Sequence, residues 1–169
     1  MTATGATGQF PSSDLRVETV TVGAATQQKF SRQFGKLVHG ILQDVDFAAS
    51  ITDLLPLATA YARSMRRPAT EAAVAAEIVR QVLGHPLILA ARSAQKLIRE
   101  EPFALRTAEG AIIEGKIDLA YCSADQWTLI DYKTGPAQRS HYERQMRWYA
   151  MALQASDGLP VRCVLLEIG

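Results

Sequence analysis

Two short runs hold the residues best equipped for chemistry: Gly115-Lys116-Ile117-Asp118-Leu119-Ala120-Tyr121 and Trp127-Thr128-Leu129-Ile130-Asp131-Tyr132-Lys133-Thr134-Gly135. Both read as strands. A turn centred between Ala124 and Asp125 opposes residues whose numbers sum to 249, which sets Asp118 across from Asp131. Their Cβ atoms then lie about 5 Å apart on one face. Lys133, two residues beyond Asp131, projects from that same face. The other face carries Ile117, Leu119 and Tyr121 with Thr128, Ile130 and Tyr132, which are largely apolar and fit to pack on helices. Both faces therefore support the register. Opposed like charges destabilise a sheet, and a divalent cation with a taste for hard oxygen ligands, magnesium or manganese, would offset the repulsion. A turn centred elsewhere would leave both aspartates simply solvated. Hairpin arithmetic leaves these two readings open.

The surrounding pattern supplies elements to hold such a hairpin. Phe34, Leu37, Val38, Ile41, Leu42 and Val45 recur at helical spacing and make one apolar stripe. Asp53 is placed to cap a second helix, with Pro56 in its first turn, running through Leu57, Ala58, Tyr61 and Met65 to stop before Pro68. Thr70 would cap a third, with Val74, Ile78 and Val82 inside it and Gly84 and Pro86 ending it. A short fourth follows around Leu87–Ala94. Then the period changes to strands at Lys96–Leu105, Ala111–Cys122 and Trp127–Lys133, with turns at Glu109-Gly110 and Ser123–Gln126. Ser140 and Glu143 form a capping box for a helix to about Ser156, and Val161–Ile168 closes as a strand. The reading is a mixed α/β domain over residues 29–169 with an N-terminal helical region. Residues 1–28, rich in Thr, Ala, Gly and Ser around one β-branched stretch at Arg16–Val20, read as a flexible tether or a loosely attached edge segment.

Composition narrows the classes. At 169 residues and 48% hydrophobic, the chain holds one domain with a real core. Eighteen basic residues against 17 acidic ones give a net charge of +1, which announces no partner, since a local patch can bind phosphates. Two cysteines, Cys122 and Cys163, cannot furnish an iron–sulfur cluster or an all-cysteine zinc site, and read as reduced thiols in or near strands. The start MTATGATGQF is no signal peptide and no run approaches the ~20 apolar residues of a membrane span. A soluble, cytoplasmic protein is expected. Ser93-Ala94-Gln95-Lys96 and Lys133-Thr134-Gly135 match two motifs of penicillin-recognising serine enzymes, but the chain contains no asparagine, so their S-D-N element is impossible.

Asp118 … Asp131-Tyr132-Lys133 resembles the D … (D/E)-x-K core of the PD-(D/E)XK nuclease superfamily, with Ile117 where its proline stands. Further elements resemble the RecB-family form, in family order across residues 35–149. GKLVH (35–39) is similar to its G-x-x-x-H helix, REEPF (99–103) to its REVPF-like strand, GKIDLAY to G-x-I-D and IDYKTG to D-Y-K-T. Tyr142, Gln145 and Tyr149 match its Y-x-x-Q-x-x-x-Y helix. Glu101 departs from the pattern, where an apolar residue is usual.

The resemblance implies a restriction-endonuclease-like core, a mixed β-sheet flanked by helices. It implies that Asp118 and Asp131 bind magnesium or manganese, with the Tyr132 backbone carbonyl and His39 as further ligands. Glu100 would contact a water of the metal, Lys133 would orient the attacking water, and Gln145, Tyr149 and Tyr142 would line the substrate groove. Against this, a lone histidine on an amphipathic helix is by default a surface or satisfied core residue. Tyr142, Met146, Tyr149 and Leu153 form a stripe that is by default core, and Arg139, Arg144 and Arg147 are as readily a solvated face as phosphate contacts. The implied activity is exonuclease-type hydrolysis of single-stranded DNA in recombination and repair. A helicase in the same polypeptide or complex would be the partner, since this chain is too short for a motor. The cysteine count excludes the iron–sulfur branch. The rival is a catalytically inactive nucleic-acid scaffold with a nuclease fold.

Overall fold

The computed structural model describes residues 15–23, 30–107, 110–134 and 139–169, with backbone alone at 139–141. In chain order the elements are β1 (Val17–Val22), α1 (Arg32–Asp44), α2 (Ile51–Ser64), α3 (Ala69–Leu83), α4 (Pro86–Arg92), β2 (Lys96–Arg106), β3 (Ile112–Ser123), β4 (Gln126–Thr134), α5 (Arg139–Asp157) and β5 (Val161–Ile168). This is the α/β order that the change of period implies. The expected cap at Ser140 and the turn residue Glu109 fall outside the described side chains. Among the described residues no single helix is long and apolar enough to cross a membrane.

The chain forms two compact units. A sheet unit comprises Met1–Val20, Ala94–Asp131 and Ala137–Leu166; a helical unit comprises Thr21–Ser93, Tyr132–Pro136 and Glu167–Gly169. The five strands are ordered β1-β5-β4-β3-β2, with β2-β3 and β3-β4 antiparallel and α5 linking β4 to its neighbour β5.

In the sheet unit, β3 and β4 join through a two-residue turn in which Ala124 and Asp125 both take positive φ, 50° and 57°. That is the geometry whose twist matches the flanking strands, built without the usual glycine. Above it, Ala120, Cys122, Trp127 and Leu129 form a core with Met146, Trp148, Tyr149, Ala150 and Leu153 of α5 and with Cys163 and Leu165 of β5. Leu119, Tyr121, Thr128 and Ile130 are also buried, so both faces of the hairpin are covered. Asp157, at the end of α5, ties that helix to the hairpin: it accepts from the Trp127 indole N–H at 3.1 Å and from Lys96 Nζ at 3.0 Å. The two cysteines are free and buried, and burial pushes the Cys163 thiol up to about 12. Within the segment read as a tether, β1 forms an edge strand, and Glu18 on it takes a two-pronged ion pair from Arg162 on β5.

In the helical unit, α1 buries Phe34, Leu37, Val38, Ile41 and Leu42 as its stripe requires, with Ser31 as N-cap accepting from the Phe34 N–H at 3.1 Å. The start of α2 differs from expectation. Ser50 is its N-cap, and Asp53 is the third helical residue, accepting from the Ser50 N–H at 3.0 Å. Pro56 therefore sits in the second turn. α3 differs too: Pro68 precedes it, and its buried face is Ala72, Ala75, Ala76, Val79, Val82 and Leu83, while Val74 is 44% exposed. Small residues there allow close helix packing, and they carry no strong signal in a hydrophobic period. His85 caps α4 through Nδ1, and Pro86 begins that helix rather than ending the one before.

Candidate active site

The β3-β4 register is the expected one. Leu119 pairs with Ile130, Ala120 with Leu129, Tyr121 with Thr128, Cys122 with Trp127 and Ser123 with Gln126. The paired ladder ends at Leu119 and Ile130, and Asp118 and Asp131 are the next residue along each strand. Asp131 is nearly fully buried, at 2% exposed. A carboxylate taken out of water is a costly arrangement unless a positive charge answers it.

A third carboxylate stands at the same level. The β2-β3 ladder pairs Arg99 with Leu119 and Glu101 with Ile117, skipping Glu100 and Asp118 between them. Glu100 takes φ 52°, a left-handed backbone inside a strand. For a residue other than glycine this costs about 1–2 kcal/mol, and such strain gathers at functional sites. Side-chain alternation slips at this level. On one side of it Ile98, Ala120 and Cys122 join the α5 core; on the other, Phe103, Leu105, Ile113 and Ile117 do. Ile117 thus packs with the α5 core rather than on the face of Leu119 and Tyr121, where simple alternation puts it. Glu100 itself is ion-paired with Lys116.

The helical unit holds Gly35, His39, Tyr132 and Lys133. The backbone at Gly35 passes so close to Thr134 that a Cβ there would strike the Thr134 hydroxyl oxygen. Any side chain at position 35 would push the two apart. One turn along α1, His39 Nε2 lies 2.8 Å from the carbonyl oxygen of Tyr132. Its ring meets the Tyr132 ring edge-on, with centroids 6.1 Å apart. Gly35 and His39 are therefore the positions at which α1 meets the end of β4. Asp131, Tyr132 and Lys133 are consecutive on β4, and Lys133 is partly buried.

On α5 the stripe is core, as its spacing suggests by default. Met146, Tyr149 and Leu153 are buried and Tyr142 packs against them. The Tyr149 ring stands edge-on to Phe103 at 5.0 Å, over Gly115, where a Cβ would sit 2.8 Å from it. Gln145 is partly exposed and donates to the Tyr149 hydroxyl. Arg144 is exposed, and the Arg139 side chain lies outside the described residues. Lys116 escapes a motif reading, hidden at a variable position inside GKIDLAY, while Thr134 belongs to the D-Y-K-T match but shows its contact with Gly35 only in the fold.

The donors present fit a hard divalent cation in kind. Carboxylates and a backbone carbonyl are its usual ligands, and an imidazole is a softer donor. The 2.8 Å between His39 Nε2 and the Tyr132 oxygen is a hydrogen bond donated by the imidazole, since a carbonyl only accepts. Among the described residues, no three His, Cys, Asp or Glu side chains are gathered into one such group as they stand.

The model of the PD-(D/E)XK nuclease superfamily matches residues 13–169, spanning both units. The chain belongs to the PD-(D/E)XK nuclease superfamily, and its mixed five-stranded α/β fold is consistent with a restriction-endonuclease-like core. Nucleases of this superfamily generally use divalent metal ions. A comparison with curated proteins finds no match.

Proposed function

We propose that the chain is a magnesium- or manganese-dependent deoxyribonuclease of the RecB-family type, hydrolysing single-stranded DNA in exonuclease fashion. The observation that supports this reading is a β3-β4 ladder ending at Leu119 and Ile130, beyond which come Asp118 on one strand and Asp131 and Lys133 on the other, in a chain of this superfamily. Asp118 and Asp131 would hold the cation, with His39 and the Tyr132 carbonyl as further ligands and Glu100 at a water beside it. When bound, such a cation offsets charge at the scissile phosphate and acidifies the attacking water. Lys133 orients that water for in-line attack and stabilises charge on the phosphoryl oxygens. Gln145, held by the Tyr149 hydroxyl, faces the strand on its way in, with Tyr142 beside it. A helicase in the same polypeptide or complex would deliver that strand, which places the activity in DNA recombination and repair in the cytoplasm.

The test is end-labelled single-stranded DNA with magnesium or manganese, comparing wild type, Lys133→Ala and an EDTA control. Cleavage that needs both the metal and Lys133 supports the reading. Cleavage indifferent to either removes it. The rival, a nucleic-acid-binding scaffold without catalysis, draws on one observation: Glu100 is turned onto Lys116. Calorimetric titration separates the two, since a scaffold has no call on a stoichiometric cation.

A further inference from the structure

Lys116 has no part in that mechanism, yet its position is specific. It lies two residues before Asp118 on β3 and ion-pairs with Glu100 at the skipped level of the β2-β3 ladder. β2 and β3 each carry a carboxylate at that level, Glu100 and Asp118, and Asp131 follows the last paired residue of β4. The exposures of the pair are unequal. The Glu100 side chain is 15% exposed and that of Lys116 49%. A mostly buried carboxylate is costly to leave without a counter-charge. A lysine ammonium is a compact charge on a flexible stem, and half exposed it swings into water readily.

We propose that Lys116 is the resident counter-ion of the metal-free site. It neutralises Glu100 while no divalent cation is bound and gives Glu100 up when one arrives, so that it sets metal affinity as a positioning residue acting through Glu100. This rests on the reading above, in which Glu100, Asp118 and Asp131 serve the cation. The exchange gives the left-handed backbone of Glu100 a use as well, since that kink breaks the ladder where the side chain must be able to turn.

The experiment is calorimetric titration of the full chain with manganese alone, on wild type, Lys116→Gln, Glu100→Gln and the double variant. Thermal unfolding is followed in EDTA and in saturating manganese. Lys116→Gln is expected to bind manganese about two- to fivefold more tightly, the scale of one partly exposed ion pair. In the Glu100→Gln background the lysine substitution should change nothing, because the competition has lost its object. Lys116→Gln should also unfold at lower temperature than wild type in EDTA, with the difference closing in manganese. Lys116→Met keeps the stem and carries the same expectations should Lys116→Gln fail to fold. Equal tightening in both backgrounds would mark a general field effect and overturn the proposal, as would unchanged or weaker binding. Wild type that binds no manganese overturns both this proposal and the metal-dependent reading; wild type that binds while Lys116 proves indifferent overturns this proposal alone.

Discussion

The two ends of the β3-β4 hairpin share one register and serve opposite purposes. At the turn end, Ala120, Cys122, Trp127 and Leu129 are packed on α5 and β5, and the Trp127 indole is bonded to Asp157. At the other end the ladder stops after Leu119 and Ile130, and Asp118 and Asp131 follow, with strained Glu100 at the skipped level of β2. The first end is arranged to hold the strands together. The second puts carboxylates where the pairing lapses, one of them nearly fully buried. A site of this kind persists because a rigid neighbour on the same strands over-determines it.

Charge at the open end should matter to chemistry and hardly to folding, which gives the largest expected effect. Asp118→Ala and Asp131→Ala should each lower single-turnover cleavage of end-labelled DNA by about three orders of magnitude or more, since several kcal/mol of charge stabilisation go with the cation. Their circular dichroism should match wild type. In EDTA, Asp131→Asn should unfold at a higher temperature than wild type, because a nearly buried charge is gone. Undiminished cleavage in either alanine variant would break the assignment of this end to catalysis.

The turn end predicts the reverse. Leu129 is fully buried, and Leu129→Ala should destabilise the chain by about 2–5 kcal/mol in urea unfolding. Manganese affinity of the folded protein should stay within error of wild type. A variant that loses metal affinity in step with stability would show that the two ends are not separable.

The same contrast governs what could be read from the sequence. The hairpin register was legible because a two-residue turn leaves no slack: once Ala124 and Asp125 occupy it, Ser123 pairs with Gln126 and Leu119 with Ile130. The α1 stripe and β5 were legible for a similar reason, each being a clean period. What stayed hidden depends on conformations and contacts that residue type does not announce. Glu100 is no glycine, so nothing foretold a left-handed residue there, and the slip that carries Ile117 to the α5 core went with it. Ala72, Ala75 and Ala76 bury the face of α3 where Val74 and Ile78 looked the better candidates. Ser50 caps α2 because Asp53 can answer it from the third helical position, a reciprocal arrangement that the nearer carboxylate disguised.

A smaller effect tests whether the turn carries its own strain. Ala124 at φ 50° lacks the freedom of glycine, so Ala124→Gly should relieve about 1 kcal/mol or somewhat more, offset in part by the entropy of a freer unfolded chain. A net gain in urea unfolding at unchanged metal affinity would sharpen the division. A net loss would mean that the Ala124 side chain stabilises the turn by a contact worth more than the strain.

The smallest effect concerns the bond between the hairpin and α5, and it carries a sign in pH. Hydrogen bonding from Lys96, with the Trp127 indole, holds the Asp157 carboxyl below its ordinary value, and Asp157 in turn raises Lys96. A carboxylate whose pKa is lowered on folding gives stability that is complete above its unfolded value, near 3.8, and lost as pH falls through the folded one. A lysine whose pKa is raised gives stability that is complete below its unfolded value, near 10.5, and lost as pH rises through the folded one. Wild type should therefore lose a modest part of its stability below about pH 4, and again at strongly alkaline pH. Asp157→Asn should flatten both limbs, while cleavage at neutral pH stays at the wild-type rate, because the residue belongs to the turn end. Urea midpoints between about pH 3 and 6 for the two proteins check the acid limb. Parallel curves would show that the pair contributes nothing, and that α5 is held to the hairpin by its apolar packing alone.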